Sequence, residues 1–382
     1  MKSIASAPAK IILLGEHFVV YGSKAMLAAI DKRVTVTSTL TDKAMIKIKS
    51  VLGTLEVPTY VSYQEVKSEF RPFVYLAKKM INSTEWKNAK PAKGLEIEIN
   101  SDIPVAVGLG SSSACCVAAT ASIYGLVELY CNVNSSSWQF KELSLEELVE
   151  ISIEAEKTIF PDTSGADCTV CTYGGMIVYD KINGIEKIDS TSIIIKDFET
   201  VTDLNFIIAN SMIPHSTKIS VERVKKFKEN NEEDFSTLCR YVTNLISGVL
   251  HELKNEDSED GLGFEGDLSL AMMSNQQFLS RIGVSNATLN SMLSALRSNS
   301  DSFDAHGHGG AGLLTAKITG AGDGGCVITL VEDRDGIVGE LAKARAVLGK
   351  DKECFSAKID TKGVVWNTIY DAIDYGEEDD YK

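Results

Sequence analysis

Several things are missing from this chain of 382 residues, and each absence excludes a class of protein. No apolar run reaches about 18 residues without a polar interruption, so no membrane-spanning helix is predicted. After Met1 the chain runs straight into strand-like sequence, so no signal peptide is predicted. Positive charge is scarce. The 38 Lys and Arg stand against 53 Asp and Glu, a net −15, which argues against nucleic acid and anionic membranes as partners. No repeat of 20–50 residues is evident. The eight cysteines form no disulfide framework. They are scattered, several in apolar segments, as in a reducing, cytoplasmic setting. Cys168 and Cys171 form one isolated C-x-x-C pair, read as buried structural thiols. His306 and His308, two residues apart among glycines, make a poor metal pair. The acidic stretch 256–267 and the acidic tail 377–380 read as solvated loop and terminus.

What is present suits two domains with full cores, since 44% of residues are hydrophobic. Strand-like and helix-like segments alternate. Residues 4–14 form a mostly apolar strand interrupted by Lys10, a residue costly to bury unless paired. Residues 33–40 and 44–49 alternate with period 2 and suggest a hairpin. Helical spacing covers 64–88, 233–254 and 268–297, and Ser144 to Glu147 reads as a capping box. Strands are expected at 203–209, 313–319 and 326–330.

The stretch around which the chain is organised is 104–114. A strand-like segment, 95–100, precedes it, and an Ala-rich, Pro-free helical segment follows. Gly108, Leu109, Gly110, Ser111, Ser112 and Ser113 therefore form a glycine-rich turn into a helix N-terminus. The first N–H groups of a helix have no internal partner and suit a phosphate. It is not the common P-loop, which needs Lys after its last glycine. Alone, a plain helix cap explains it about as well as a phosphate cradle.

Two further stretches accompany it. One is Pro8-Ala-Lys10 with Gly15-Glu-His17, and the other is Thr319-Gly-Ala-Gly-Asp-Gly-Gly325. In this order the three resemble the signature motifs of the GHMP kinases, over residues 6 to 330. Within that group the wording from Gly15 to Gly22, the Ser164-Gly-Ala-Asp167 stretch and Thr217 after His215 resemble the mevalonate kinases.

The resemblance implies an α+β fold. Residues 1–202 would form an ATP-binding domain of the ribosomal-protein-S5 domain 2 type, and residues 203–382 a ferredoxin-like domain. It implies ATP-dependent phosphorylation of mevalonate to 5-phosphomevalonate, a step toward isoprenoids. Asp167 would be the catalytic carboxylate, with Lys10 beside it neutralising charge on the transferred group. Ser112 and Glu156 would hold Mg²⁺. Residues 108–113 would cradle the ATP phosphates, and Glu16, His17, Thr217, Gly320 and Gly322 would lie on the substrate side. The expected partners are ATP and mevalonate, with a homodimer as the alternative to a monomer. The alternatives are a GHMP kinase for phosphomevalonate or homoserine, and a non-catalytic ligand-binding relative. Two positions depart from the family pattern. Asp323 replaces a usual glycine, where its charge would repel a triphosphate unless it points away or meets the metal. His215 stands where relatives often carry Arg.

Overall fold

The structure is a computed structural model that describes residues 1–83, 86–87, 93–134, 143–180, 193–195, 204–214, 217–254, 263–298, 315–331 and 336–369. His215, His306, His308, Leu313, Leu314, residues 256–262 of the acidic stretch 256–267 and the tail 377–380 lie outside these residues, while 263–267, expected as loop, begin a helix.

Two long strands start the first sheet, β1 (Lys2–Leu14) and β2 (Lys24–Thr41). They pair antiparallel, with Lys10 opposite Ala29. The remaining strands of this sheet are β3 (Met45–Ser50), β4 (Gly53–Pro58), β5 (Gly94–Ser101), β6 (Met176–Asp180), β7 (Ile193–Ile195) and β12 (Val365–Ile369). The main order is β12-β1-β2-β5-β3-β4, with β6 on the first half of β2 and β7 beside β6.

The expected hairpin between residues 33–40 and 44–49 does not form. β5 inserts between β2 and β3, running antiparallel to the first and parallel to the second. The hairpin lies one step later, β3 to β4. The alternation was correctly placed; strand partnership is a long-range property that it does not carry.

Over this sheet lies α2 (Ser111–Asn134), packed on β1 and β2, with α1 (Arg71–Ile81), α3 (Leu145–Lys157) and α4 (Ala166–Tyr173) around it. By length and composition Ser111–Tyr130 could cross a membrane, but 78% of that stretch is buried inside the protein. A helix apolar on all sides is a core helix when other elements surround it. The capping box at α3 is formed in both directions, Glu147 N–H to Ser144 Oγ at 3.2 Å and Ser144 N–H to Glu147 Oε2 at 3.1 Å. α1 is shorter than its periodicity suggests. Pro72 sits in its first turn, and residues 63–65 and 68–70 are single 3₁₀ turns.

The second sheet has β8 (Asn205–Asn210), β9 (Lys317–Thr319), β10 (Cys326–Val331) and β11 (Glu353–Lys358), all antiparallel, in the order β11-β8-β10-β9. Among the described residues, four helices lie between β8 and β9: α5 (Thr217–Asn230), α6 (Glu232–Lys254), α7 (Gly263–Arg281) and α8 (Ala287–Ser298). α9 (Ile337–Leu348) joins β10 to β11. With the intervening helices counted as one layer this is β-α-β-β-α-β with order 4-1-3-2, the ferredoxin-like arrangement. The helical region 268–297 is two helices, broken at Gly283, which takes φ 78°. β12 comes from the end of the chain yet pairs with β1, completing the first sheet.

Candidate active site

The site begins with a lysine in a strand. Lys10 is buried in the middle of β1, and its N–H donates to Leu109 O at 3.0 Å. Its aliphatic stem lies on Gly110. That residue has φ 72°, and a Cβ there would come within 2.6 Å of Lys10 Cγ, so a side chain at 110 would displace the lysine. The ammonium reaches Asp167 Oδ2 at 3.0 Å. Asp167 stands in the first turn of α4, which Gly165 opens at φ 86°. Lys10 is sealed at 3% side-chain exposure, whereas Asp167 keeps 32%. The pair therefore presents a carboxylate to the outside and a cation behind it.

Glu156, in the last turn of α3, comes to the same place and is buried. Ser113 donates to its Oε1, Thr163 Oγ1 to its Oε2 at 2.7 Å, and the Cys168 thiol to Oε2 at 3.6 Å; Ser112 Oγ lies 3.5 Å from Oε1. Burial pushes the Glu156 pKa up, and the charge of Asp167 adds to the shift. Two carboxylates with one lysine leave an excess negative charge in a buried place. A hard divalent cation fits that excess, and the oxygens of Ser112 and Glu156 suit it. Among the described residues no group of three or more His, Cys, Asp or Glu could cage a metal alone. An ion shared with substrate phosphates needs only one or two protein ligands.

The glycine loops meet here. The first i to i−4 bond of α2 runs from Ala114 N–H to Gly110 O at 2.9 Å, so the N–H groups of Ser111, Ser112 and Ser113 end the helix toward the same side. A Cβ on Gly320 would lie 3.1 Å from Gly108 Cα, and one on Gly108 would lie 3.0 Å from Thr319 O. Ile12 N–H donates to Thr319 Oγ1 at 2.8 Å. First, second and third loops are thus in direct contact.

The substrate-side residues divide. His17, at φ 61°, places Nε2 2.9 Å from Ala321 O. Burial pushes its pKa down, against that carbonyl contact and the charge of Asp323. Thr217 is exposed at the start of α5. Gly322 packs on Val284 O. Glu16 behaves differently. Lys317 donates to its Oε1 and Asn275 Nδ2 to its Oε2 at 2.8 Å, all of it buried. Lys317 also donates to Ile12 O at 3.1 Å and Ile318 O at 2.6 Å. Burial lowers the Lys317 pKa, with the charge of Glu16 opposing. Glu16 thus acts on any pocket from behind, through a cross-link between the two sheets.

Lys317 escaped sequence reasoning, although its signal was that of Lys10: one lysine in an apolar strand. The side chains of Ser113, Thr163 and Asn275 left no such signal. Asp323 is resolved as well. Its carboxylate is held by Arg223 and Ser220 and is committed to protein groups.

The chain is similar to known proteins in sequence and in fold. The family model described as GHMP kinases N terminal domain matches residues 73–175. The mevalonate kinase of Thermococcus onnurineus is 31% identical, over 91% of this chain and 94% of that protein. That of Pyrococcus furiosus is 32% identical, over 87% and 90%. Among solved structures, Methanococcus jannaschii mevalonate kinase superposes with TM-score 0.71 at 24% identity, covering 94% of this chain and 98% of that one. Lactococcus lactis galactokinase complexed with galactose gives 0.67 at 18%, covering 95% of each chain. Fold and loops define a GHMP-type small-molecule kinase. Within that class the chain belongs to the mevalonate kinase family.

Proposed function

We propose that this protein transfers the γ-phosphoryl group of ATP to the 5-hydroxyl of mevalonate, with Asp167 and Lys10 as its catalytic pair. The observation that carries the proposal is the 3.0 Å contact between a sealed lysine and a half-open carboxylate beside a helix N-terminus. Asp167 accepts the hydroxyl proton as the O–P bond forms and the bond from the γ-phosphorus to the bridging oxygen breaks, ADP leaving. Lys10 neutralises charge on the transferred group. The N–H groups of residues 108–113 hold the phosphates. His17, Thr217, Gly320 and Gly322 line the side of the alcohol, and Glu16 fixes the first loop.

Ser112 and Glu156 would hold the metal, taken as Mg²⁺, which would supply neutralisation of phosphate charge. Residues 1–202 form the ATP-binding half and 203–382 the second half, with β12 crossing back. A cytoplasmic setting belongs to the same reading, supported by seven free cysteines among the described residues.

The test is a coupled ADP-release assay on mevalonate, phosphomevalonate, homoserine and galactose. Mevalonate is expected to give the highest kcat/KM. A higher value for another of the four overturns the substrate.

A further inference from the structure

The third glycine loop contains one residue that its backbone does not favour. Asp323 sits at φ 59°, in the left-handed region, where a side chain carries a steric cost. Its neighbours Gly322 and Gly324 take positive φ without that cost.

Both oxygens of the carboxylate are held, and both by residues of α5. Arg223 Nη1 reaches both of its oxygens and also donates to Gly283 O at 2.8 Å. Ser220, fully buried, donates to Oδ2 at 3.1 Å. The Asp323 N–H donates to Val284 O at 2.8 Å. Ser220 and Arg223 are three residues apart on α5, so they share one face of it.

α5 needs that hold. Among its residues only Ser220 and Val224 are buried, so little apolar packing fixes its first turn. The loop itself is well fixed. Gly325 N–H donates to Ile213 O at 3.0 Å, Ser211 N–H donates to Gly325 O at 2.9 Å, and Ala321 O meets His17 Nε2 at 2.9 Å.

We propose that Asp323 is a positioning residue. Through Arg223 and Ser220 it holds the first turn of α5, and with it Thr217, against the third glycine loop, and so sets the affinity for the alcohol rather than for ATP. This rests on the reading of Thr217 as a substrate-side residue.

Asp323→Asn tests it cleanly, because Asn also tolerates the left-handed region and only the charge is lost. Arg223→Ala removes the other partner. Each is expected to raise the KM of the best alcohol about three- to tenfold, the worth of an ordinary hydrogen bond, since the pair is partly exposed. The KM of ATP and kcat are expected to stay within about twofold. The double variant is expected to be no worse than the worse single one, and Arg223→Lys is expected to recover part of the loss.

A fall in the ATP KM of Asp323→Asn would mean that the carboxylate faces the nucleotide, and would overturn the proposal. So would an unchanged alcohol KM in both single variants, with or without a lower Tm. The wild-type protein is assayed first on the four alcohols. If mevalonate loses there, the substrate reading fails by itself, and the same KM comparison on the preferred alcohol still decides the role of Asp323.

Discussion

Two buried lysines, each bonded to a carboxylate, lie on strands that meet, and they do different work. Lys317 and Glu16 are sealed at 0% and 1% side-chain exposure. Lys317 donates to two backbone carbonyls as well as to Glu16, and the second oxygen of Glu16 takes a bond from Asn275. Both members of this pair are enclosed, and it cross-links β1 to β9. Lys10 and Asp167 pair at 3.0 Å, but Asp167 keeps 32% exposure. A carboxylate left half open can take a proton from a bound alcohol. The same two functional groups make a rivet where both are enclosed and, in the function proposed above, a reaction centre where one faces out.

The strongest way to break this comparison is to remove one member of each pair. Lys317→Met strands Glu16 in the core, and breaking a buried pair costs roughly 3–5 kcal/mol. A large drop in Tm by calorimetry is expected, with activity lost in step with folding. Asp167→Asn is expected to lower Tm by less than Lys317→Met, since Asp167 itself keeps 32% exposure, while kcat falls at least ~10²-fold, the scale of a positioned general base. A Lys317→Met protein that folds normally yet turns over as poorly as Asp167→Asn would move Lys317 into the chemistry and erase the distinction.

Double variants sharpen it. Lys10→Met is expected to lose most turnover. Combined with Asp167→Asn, the loss in kcat should be smaller than the product of the single losses, because the two act as a unit. Strict multiplicativity in steady-state rates would separate them.

Glu156 offers a third case, a buried carboxylate with no lysine of its own. Its pKa is raised from 4.5, so the folded protein binds that proton more tightly than the unfolded chain does. Without metal, its contribution to stability is fully present below 4.5 and is lost as pH rises through the raised value. Glu156→Gln abolishes that dependence. The Tm difference, variant minus wild type without metal, is therefore expected to grow more positive from pH 4 to neutral. The kcat is expected to fall strongly and the Mg²⁺ requirement to rise. A Mg²⁺ dependence equal to that of wild type would remove Glu156 from the metal site.

The smallest expected effect is at Ser112. Ser112→Ala loses one hydroxyl, worth about 1 kcal/mol, so the Mg²⁺ concentration for half-maximal rate should rise about fivefold. The same change at Ser113, whose hydroxyl is bonded to Glu156, is expected to act on Tm more than on that concentration. Reversal of the two would exchange their assignments.

Much of this site could be read before any fold was known. The glycine–serine turn and the lysine interrupting an apolar strand are local patterns, set by backbone conformation and helix ends, whereas Glu156 and Asp167 stood out only through the family resemblance. The capping box of α3 and the start of α2 were legible for the same reason. Partnership was not. That β5 separates β2 from β3, that Ser113 and not only Ser112 serves Glu156, and that Asp323 turns to Arg223 a hundred residues away all depend on distant chain.

By itself, then, the sequence determined which loops could carry phosphate chemistry and which residues could act in it. Only the tertiary structure brought out Lys317 and showed how its surroundings differ from those of Lys10. Both interrupt apolar strands, and a strand pattern reports that a charge is buried without saying what it meets. The difference lies in what closes over the carboxylate: Asn275 of α7 seals Glu16, whereas Asp167 opens a helix of eight residues at the edge of the site.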